Sequence, residues 1–365
     1  MSDSDYFEID FLAVETAKSG DAITLHYTLD DRSYTHVVDG GFTETGEKIL
    51  NHINKYYGDD DFIDHVVLTH SDGDHARGLK HVLENGNIGC LWMNRPWLYV
   101  DELIDRFKTY NSADALKARL RKCYPTVVEL EEIAFRKGIQ INEAFQGASI
   151  GAFRVMSPPK EMYLDLIVAS EKTPEGIDES EKSHEQTLTE MLKAAMAAVR
   201  GVIASLWGEE KFSSEDTSAE NEMSVVQYAN LCGKKLLLTG DAGRQALQQV
   251  INYAPWVGLS LPGIDRFQVP HHGSRRNVST EVLDAILGER YSNQDNAPEN
   301  DFTAIISSAL ADKDHPRKSV ERAMRHRGGF VAATEGQDVR TSHNAPNRDG
   351  WTALAPRPYP NEQED

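Results

Sequence analysis

Val66-Val67-Leu68-Thr69-His70-Ser71-Asp72-Gly73-Asp74-His75 runs from an apolar, β-branched stretch straight into four metal-competent side chains within six residues. Valine-rich runs favour strands, so His70, Asp72, Asp74 and His75 are expected at a strand tip. Imidazole nitrogen and carboxylate oxygen are the ligand types that hold zinc, manganese and iron. Gathering them in one place costs desolvation and self-repulsion unless a cation compensates. Ser-Asp-Gly-Asp alone reads as a polar turn. Two histidines flanking two aspartates at H-x-D-x-D-H spacing point instead to a hydrolytic metal centre.

Two further segments have the same form. Leu236-Leu237-Leu238-Thr239-Gly240-Asp241 is an apolar strand ending in Gly-Asp, and Val269-Pro270-His271-His272-Gly273-Ser274 places paired histidines at another strand end. Each alone is weak, because Asp after Gly is a common turn or helix cap and a single His is often a satisfied structural group. Taken together, three strand ends carry His and Asp, and loops at strand termini are where sites are usually built.

The 365 residues are enough for a large core, whether as one domain or as several. Apolar content of 40% and charged content of 26% are ordinary for a globular chain. Cys90, Cys123 and Cys232 are scattered, with no C-x-x-C pair, which argues against a disulfide framework and for a reducing, cytoplasmic setting. The acidic start lacks an apolar signal region, and no apolar run approaches the roughly 20 residues needed to span a bilayer, so no membrane role is expected.

The net charge of −20 disfavours a broad nucleic-acid-binding face. Positive charge is nevertheless concentrated at Arg275 and Arg276, and again at Lys313, Arg317, Lys318, Arg322, Arg325 and Arg327. The C-terminal group reads either as a basic rim able to hold phosphate or as a solvated helix face balanced by nearby acids.

Strands and helices alternate along most of the chain. Strands are expected at 6–14, 22–27, 34–38, 65–69 and 153–156, with helices at 47–57 and 75–84. Residues 95–146 read as a mainly helical insertion. Over 180–207 the apolar spacing is that of an amphipathic helix, with Ser183 and Gln186 as a capping box. Such a helix usually packs on its own core; a homodimer contact or a protein-docking surface over 183–207 is the alternative. Residues 208–222, rich in Ser and acid, read as a mobile surface loop. A hairpin is expected around Leu231-Cys232-Gly233, followed by helices at 242–252, 280–287 and 316–327 and strands at 266–269, 302–307 and 330–333. Residues 336–365 read as a loosely held tail.

The order Asp39-Gly-Gly, His70-x-Asp72-x-Asp74-His75, Thr239-Gly240-Asp241 and His271-His272-Gly273-Ser274 resembles the metallo-β-lactamase-fold hydrolases. Within them it is most similar to the soluble domain of the competence protein ComEC and its stand-alone relatives. Asn221-x-x-Ser224-Val225-Val226 and Asp314-His315-Pro316 are supporting matches. The resemblance implies an α/β fold, the four-layer αββα metallo-β-lactamase sandwich, as a single domain over 1–335 with helical insertions at about 95–146 and 160–220. It also implies one or two divalent ions, zinc or manganese. His70 and Asp72 would hold the first, and Asp74, His75 and His271 the second, with Asp241 bridging. Asp39 and Asn221 would support the site from behind.

The chain departs from the better-known pattern twice. The usual H-x-H becomes His70-x-Asp72, a harder ligand pair that favours manganese or magnesium. The further His expected after a middle strand is absent, the stretch reading Met156-Ser157-Pro158. One ion or two therefore stays open. A divalent ion lowers the pKa of its water from about 16 toward 7, and Asp74 is the candidate proton acceptor. His272 is either a donor to the leaving group or a supporting partner, and His315 either approaches the site or starts a helix. Ser274, Arg275, Arg276 and His315 are the candidate substrate-binding residues. The expected reaction is phosphodiester hydrolysis of a nucleic acid or nucleotide. Hydrolysis of a lactone, thioester or lactam is the alternative, and a non-catalytic partner-binding module the third reading.

Overall fold

Alternate residues of the central strands face two different cores, which is what builds the layers of this chain. The computed structural model describes residues 5–58, 61–173 and 202–364. The first sheet contains β1 (Tyr6–Phe11), β2 (Ile23–Leu29), β3 (Arg32–Val38), β4 (Phe62–Val67), β5 (Asn87–Trp92) and β6 (Gln140–Asn142). The second contains β7 (Ser149–Ile150), β8 (Phe153–Ser157), β10 (Val226–Leu231), β11 (Lys234–Leu238), β12 (Arg266–Gln268), β13 (Phe302–Ile306) and β14 (Gly329–Ala333). Two late segments complete the set. β15 (Val339–His343) joins the first sheet, whose order is β15-β1-β2-β3-β4-β5-β6, and β16 (Glu362–Glu364) pairs with β9 (Val202–Ala204). The second sheet has the order β14-β13-β12-β11-β10-β8-β7. In each sheet an antiparallel half leads into a parallel half: β3-β4-β5-β6 in one and β11-β12-β13-β14 in the other.

Phe7, Ile9 and Phe11 of β1 and Leu236 and Leu238 of β11 meet in the core between the sheets. Their neighbours turn outward. Val66 packs under the helices Thr45–Tyr56 and Leu79–Asn85, and Leu237 under Arg244–Tyr253 and Thr280–Leu287. Strands buried on both faces read as continuous apolar runs, and each large side chain so buried contributes about 1.5–3 kcal/mol. The result is helix, sheet, sheet, helix, the αββα sandwich.

Several expectations change. The helix expected at 75–84 is two helices, Gly73–Ala76 and Leu79–Asn85, because Gly78 presses against the loop after β3: a Cβ there would lie 1.9 Å from the Gly40 carbonyl oxygen. The 95–146 insertion is helical at Ala113–Cys123 and Pro125–Lys137 but also supplies edge strand β6. Most of the 180–207 helix lies outside the described residues; its end, Val202–Ala204, is strand β9, held by β16.

Residues 208–222 are not a free loop. Glu210 is buried against His326 and Arg327, and Glu220, Asn221 and Glu222 are buried in the short helix Ala219–Glu222. Nor is 336–365 a loose tail. β15 closes the edge of the first sheet, and Arg348 makes two 2.8 Å hydrogen bonds to the buried Asp10 carboxylate. The C-terminal cations are largely neutralised within the fold. Arg327 pairs with Glu210 and Asp284, Arg325 with Glu299, Arg317 with Asp314 and Lys318 with Glu362, and Arg322 donates to carbonyls of Leu206, Glu209 and Pro360. Among the described residues no helix is long and apolar enough to cross a membrane.

Candidate metal centre

The loops that follow β3, β4, β11, β12 and β13 open at the same ends of their parallel strands, the place where open α/β sheets usually bind ligands. Each delivers one part of a buried cluster. Asp39, after β3, accepts hydrogen bonds from the Thr69 amide at 2.8 Å, from Thr69 Oγ1 at 2.6 Å and from His75 Nδ1 at 2.7 Å. It does so from a left-handed backbone, φ 59°, a conformation Asp tolerates better than most residues.

Hydrogen-bond logic fixes the ring orientations. A carboxylate only accepts, so His75 carries its proton on Nδ1 and turns Nε2 toward Asp241 Oδ1, 3.2 Å away. The Thr69 hydroxyl donates to Asp39, so it accepts from His70 Nδ1 at 3.0 Å. That leaves His70 Nε2 3.8 Å from Asp241 Oδ2 and from Asp72 Oδ2. His272 Nδ1 donates to the Ser307 carbonyl at 2.8 Å and aims Nε2 at Asp74 Oδ2 (3.7 Å) and Asp241 Oδ1 (3.9 Å). The Asp241 amide is anchored on Ser224 Oγ.

His70 Nε2, His75 Nε2, His272 Nε2, Asp241 Oδ1 and Asp21 Oδ1 are all buried without a hydrogen-bond partner among the described residues. One such atom costs about 1–3 kcal/mol, so several facing the same point call for a cation. Four triads have ligand atoms within 4.8 Å of one another: His70, His75 and Asp241; Asp74, His75 and His272; Asp21, Asp39 and His75; and Asp21, Asp241 and His272. The donor set of imidazole nitrogens and carboxylate oxygens fits a divalent ion such as zinc or manganese.

The electrostatics agree. Burial alone would raise the Asp241 carboxyl, but His75, His271 and His272 hold it well below the usual carboxylate range. Burial would lower His75, yet Asp241 and Asp39 push it well up. In the same way His272, against burial, is raised to about 9 by Asp241, Asp74 and Asp21. Burial and the neighbouring His75 keep His70 low, hence neutral. Without an ion, imidazolium charge balances the carboxylates; an ion would take over that role and release protons.

The Metallo-beta-lactamase superfamily sequence model matches residues 27–95, the span that contains Asp39 and the His70–His75 loop. Residues 27–95 carry the signature of that superfamily, within an αββα sandwich. No curated protein matches the chain. Among solved structures, the chain is similar to the hydrolase AbOPH of the β-lactamase superfamily, at 9% identity over 60% of this chain and 56% of that one, TM-score 0.28. It is similar to AidC, a dizinc quorum-quenching lactonase, at 12% identity over 60% and 56%, TM-score 0.29. Zn(2+)-bound PqqB from Methylobacterium extorquens aligns at 10% identity over 91% and 99%, TM-score 0.39. The chain thus spans 56% of the length of the first two.

Around this candidate centre the remaining residues take distinct places. His271 Nε2 lies 3.6 Å from Asp241 Oδ2, but its Nδ1 is engaged by Asn277 Oδ1 and Asn221 Nδ2, each at 3.0 Å. His272, not His271, shares a triad with Asp74 and His75. Asp72 joins none of the triads; its Oδ1 is held by Lys172 Nζ at 2.5 Å. His315 stacks on His271 with ring centroids 5.3 Å apart and is braced by Asp312, so it does face the site. Ser274 is buried, its Oγ accepting from the Arg276 amide. The Arg276 guanidinium pairs with Glu215 at the surface, and the Arg275 carbonyl accepts from Ser213.

Asp21, Thr69, Asn277 and Lys172 escaped the sequence reading. Asp21 is fully buried, accepts from Gln268 Nε2 at 2.8 Å and lies 3.8 Å from His75 Nδ1. Its only signal in the sequence is an acid placed just ahead of an apolar strand, which reads as a turn.

Proposed function

We propose that this chain is a metal-dependent hydrolase of phosphodiesters, acting on a nucleic acid end, a single strand or a nucleotide. The observation that carries the metal half is the set of buried, unpartnered ligand atoms on His70, His75, His272, Asp241 and Asp21. Asp74, His75, His272 and Asp241 would hold the ion. When bound, such an ion lowers the pKa of its water and offsets charge growing on a phosphoryl oxygen.

The protein's own groups supply the rest. Asp39, Thr69 and the Ser307 carbonyl lock three imidazoles with one nitrogen facing inward, so no reorganisation is needed when substrate arrives. Asp74 is the partly exposed carboxylate of the set; burial would raise its carboxyl, but His272 and His75 hold it well below the usual carboxylate range, so it stays ionised. His315, stacked on His271, lies beside that set.

Support for the phosphodiester half comes from the resemblance to the ComEC branch and from Arg275 and Arg276, which follow the His271-His272 turn. The Arg276–Glu215 pair is exposed, and exposed pairs are worth about 0–1 kcal/mol. A substrate phosphate can therefore displace Glu215 at little cost. The net charge of −20 favours small or single-stranded substrates over tight duplex binding.

Incubation of the purified chain and manganese with plasmid, linear and single-stranded DNA, RNA and cyclic dinucleotides tests this. Cleavage that is abolished in Asp74→Ala is expected. Turnover of a lactone or thioester with no action on any phosphodiester would replace the substrate half of the reading. Inertness toward all of them, with Asp74→Ala indistinguishable from wild type, would end it.

A further inference from the structure

Lys172 holds the carboxylate of Asp72, a residue that the sequence pattern assigns to a metal. It follows the helix Lys160–Ala169, and its backbone is fixed by a 3.0 Å hydrogen bond from its amide to Ser170 Oγ, which in turn donates to the buried Glu220. From this anchored position its ammonium reaches Asp72 Oδ1 at 2.5 Å and Ser71 Oγ at 3.1 Å, and it lies 5.8 Å from the centre of the Tyr124 ring. The other oxygen of Asp72 is 3.8 Å from His70 Nε2. A fixed positive charge therefore already stands on a carboxylate that, beside the bridging Asp241, would join His70 in holding a separate ion.

The surrounding donors are thin on this side. Asp72 belongs to none of the ligand triads among the described residues. The end of β8, where an imidazole would be expected, carries Ser157. His70 does share a triad with His75 and Asp241, but His75 also belongs to the triad with Asp74 and His272, and its one inward nitrogen can serve only one ion. With His75 on that side, what remains is His70 Nε2 with Asp241 Oδ2, 3.8 Å apart; His271 Nε2 lies 3.6 Å from the same oxygen but joins none of the triads among the described residues. Two donors fall short of the three or four protein ligands that usual sites supply. The other side offers Asp74, His75 and His272 together with Asp241.

We propose that the Lys172 ammonium substitutes for a second ion beside His70, so that this chain binds one divalent cation tightly, at the Asp74, His75, His272 and Asp241 side. The inference rests on the metal reading above and adds to it a stoichiometry and the residue that sets it. Like charge disfavours a divalent ion next to an ammonium, and Asp72 held by Lys172 is withdrawn from coordination. Lys172 is then a positioning residue, acting through Asp72.

The test is titration of chelator-treated protein with manganese chloride alone, followed by calorimetry and elemental analysis, for wild type, Lys172→Met, Lys172→Arg and Asp241→Ala. Lys172 is partly exposed, so neither substitution of it disturbs the core. Wild type and Lys172→Arg are expected to bind one ion per chain. Lys172→Met is expected to take up a second, with at least tenfold tighter binding of that ion than wild type shows. Two equivalent ions in wild type, or one ion in Lys172→Met, would overturn the role of Lys172. Loss of the wild-type ion in Asp241→Ala would leave the metal reading standing in that case. No ion bound by any of the four proteins would overturn both.

Discussion

His75 Nδ1 donates to Asp39 Oδ2 across 2.7 Å, and this bond decides which nitrogen of His75 faces the centre. The same carboxylate holds Thr69, which orients His70. Asp39 thus sets two inward-facing imidazoles without itself needing to touch an ion. Removing such an outer partner typically costs 10–100-fold in metal affinity. Asp39→Asn, which keeps the tolerance for the left-handed backbone, is expected to weaken binding by about that factor, read by competition with a chromogenic chelator. Unchanged affinity would show that His75 needs no such guide.

Gly78 and Gly40 bring the loops after β3 and β4 into contact. A Cβ at Gly78 would meet the Gly40 carbonyl oxygen at 1.9 Å, with backbone on both sides of the clash. Gly78→Ala is expected to destabilise by more than about 3 kcal/mol, beyond ordinary overpacking, and to loosen metal binding because His75 lies three residues away. Urea unfolding of the metal-free protein measures the first effect, and an unshifted midpoint would contradict it.

Arg348 neutralises Asp10, which is fully buried on β1 and also contacted by His52 Nε2 at 3.1 Å. Truncating the arginine leaves a buried charge uncompensated, a change that typically costs 3–5 kcal/mol. Arg348→Ala is expected to lower stability by about that amount, while a double variant with Asp10→Asn recovers part of it. Chemical denaturation of the three proteins reads the effect; a loss below 1 kcal/mol would mean that the C-terminal segment is dispensable.

Glu210 gives a pH signature. Burial would raise its carboxyl, but hydrogen bonds from His326 and Arg327 bring it from 4.5 down to about 2. A depressed carboxylate stabilises the fold fully above its unfolded value and loses that contribution as pH falls through the folded value. The stability gap between wild type and Glu210→Gln is therefore expected to be about 3 kcal/mol at neutral pH and to shrink between about pH 4.5 and 2. A gap that stays constant across that window would show that the charge of Glu210 is not what holds the segment.

Much of this was legible in the sequence, and the reasons are local. β4 and β11 are buried on both faces, so Val66–Leu68 and Leu236–Leu238 appear as unbroken apolar runs that end in polar ligands. The Cys232-Gly233 turn shows its left-handed residues, φ 52° and 73°, directly as a hairpin signal. β5 was not seen, because Asn87–Trp92 is half exposed and interrupted by Gly89. β15 was hidden in a stretch whose only apolar anchor is Val339, since its burial comes from β1, more than 300 residues earlier. The misses within the site have the same origin. Gln268 reaches Asp21 across 247 residues, and Lys172 reaches Asp72 across 100. Neither contact leaves a periodic trace.

The most direct test of the central claim, that these strand ends converge on a divalent cation, is anomalous diffraction from crystals grown with zinc or manganese. A peak within coordination distance of His75 Nε2, His272 Nε2 and Asp241, absent in Asp241→Ala, is the predicted result. A well-ordered cluster with no peak there, its imidazoles bonded only to protein groups, would contradict it.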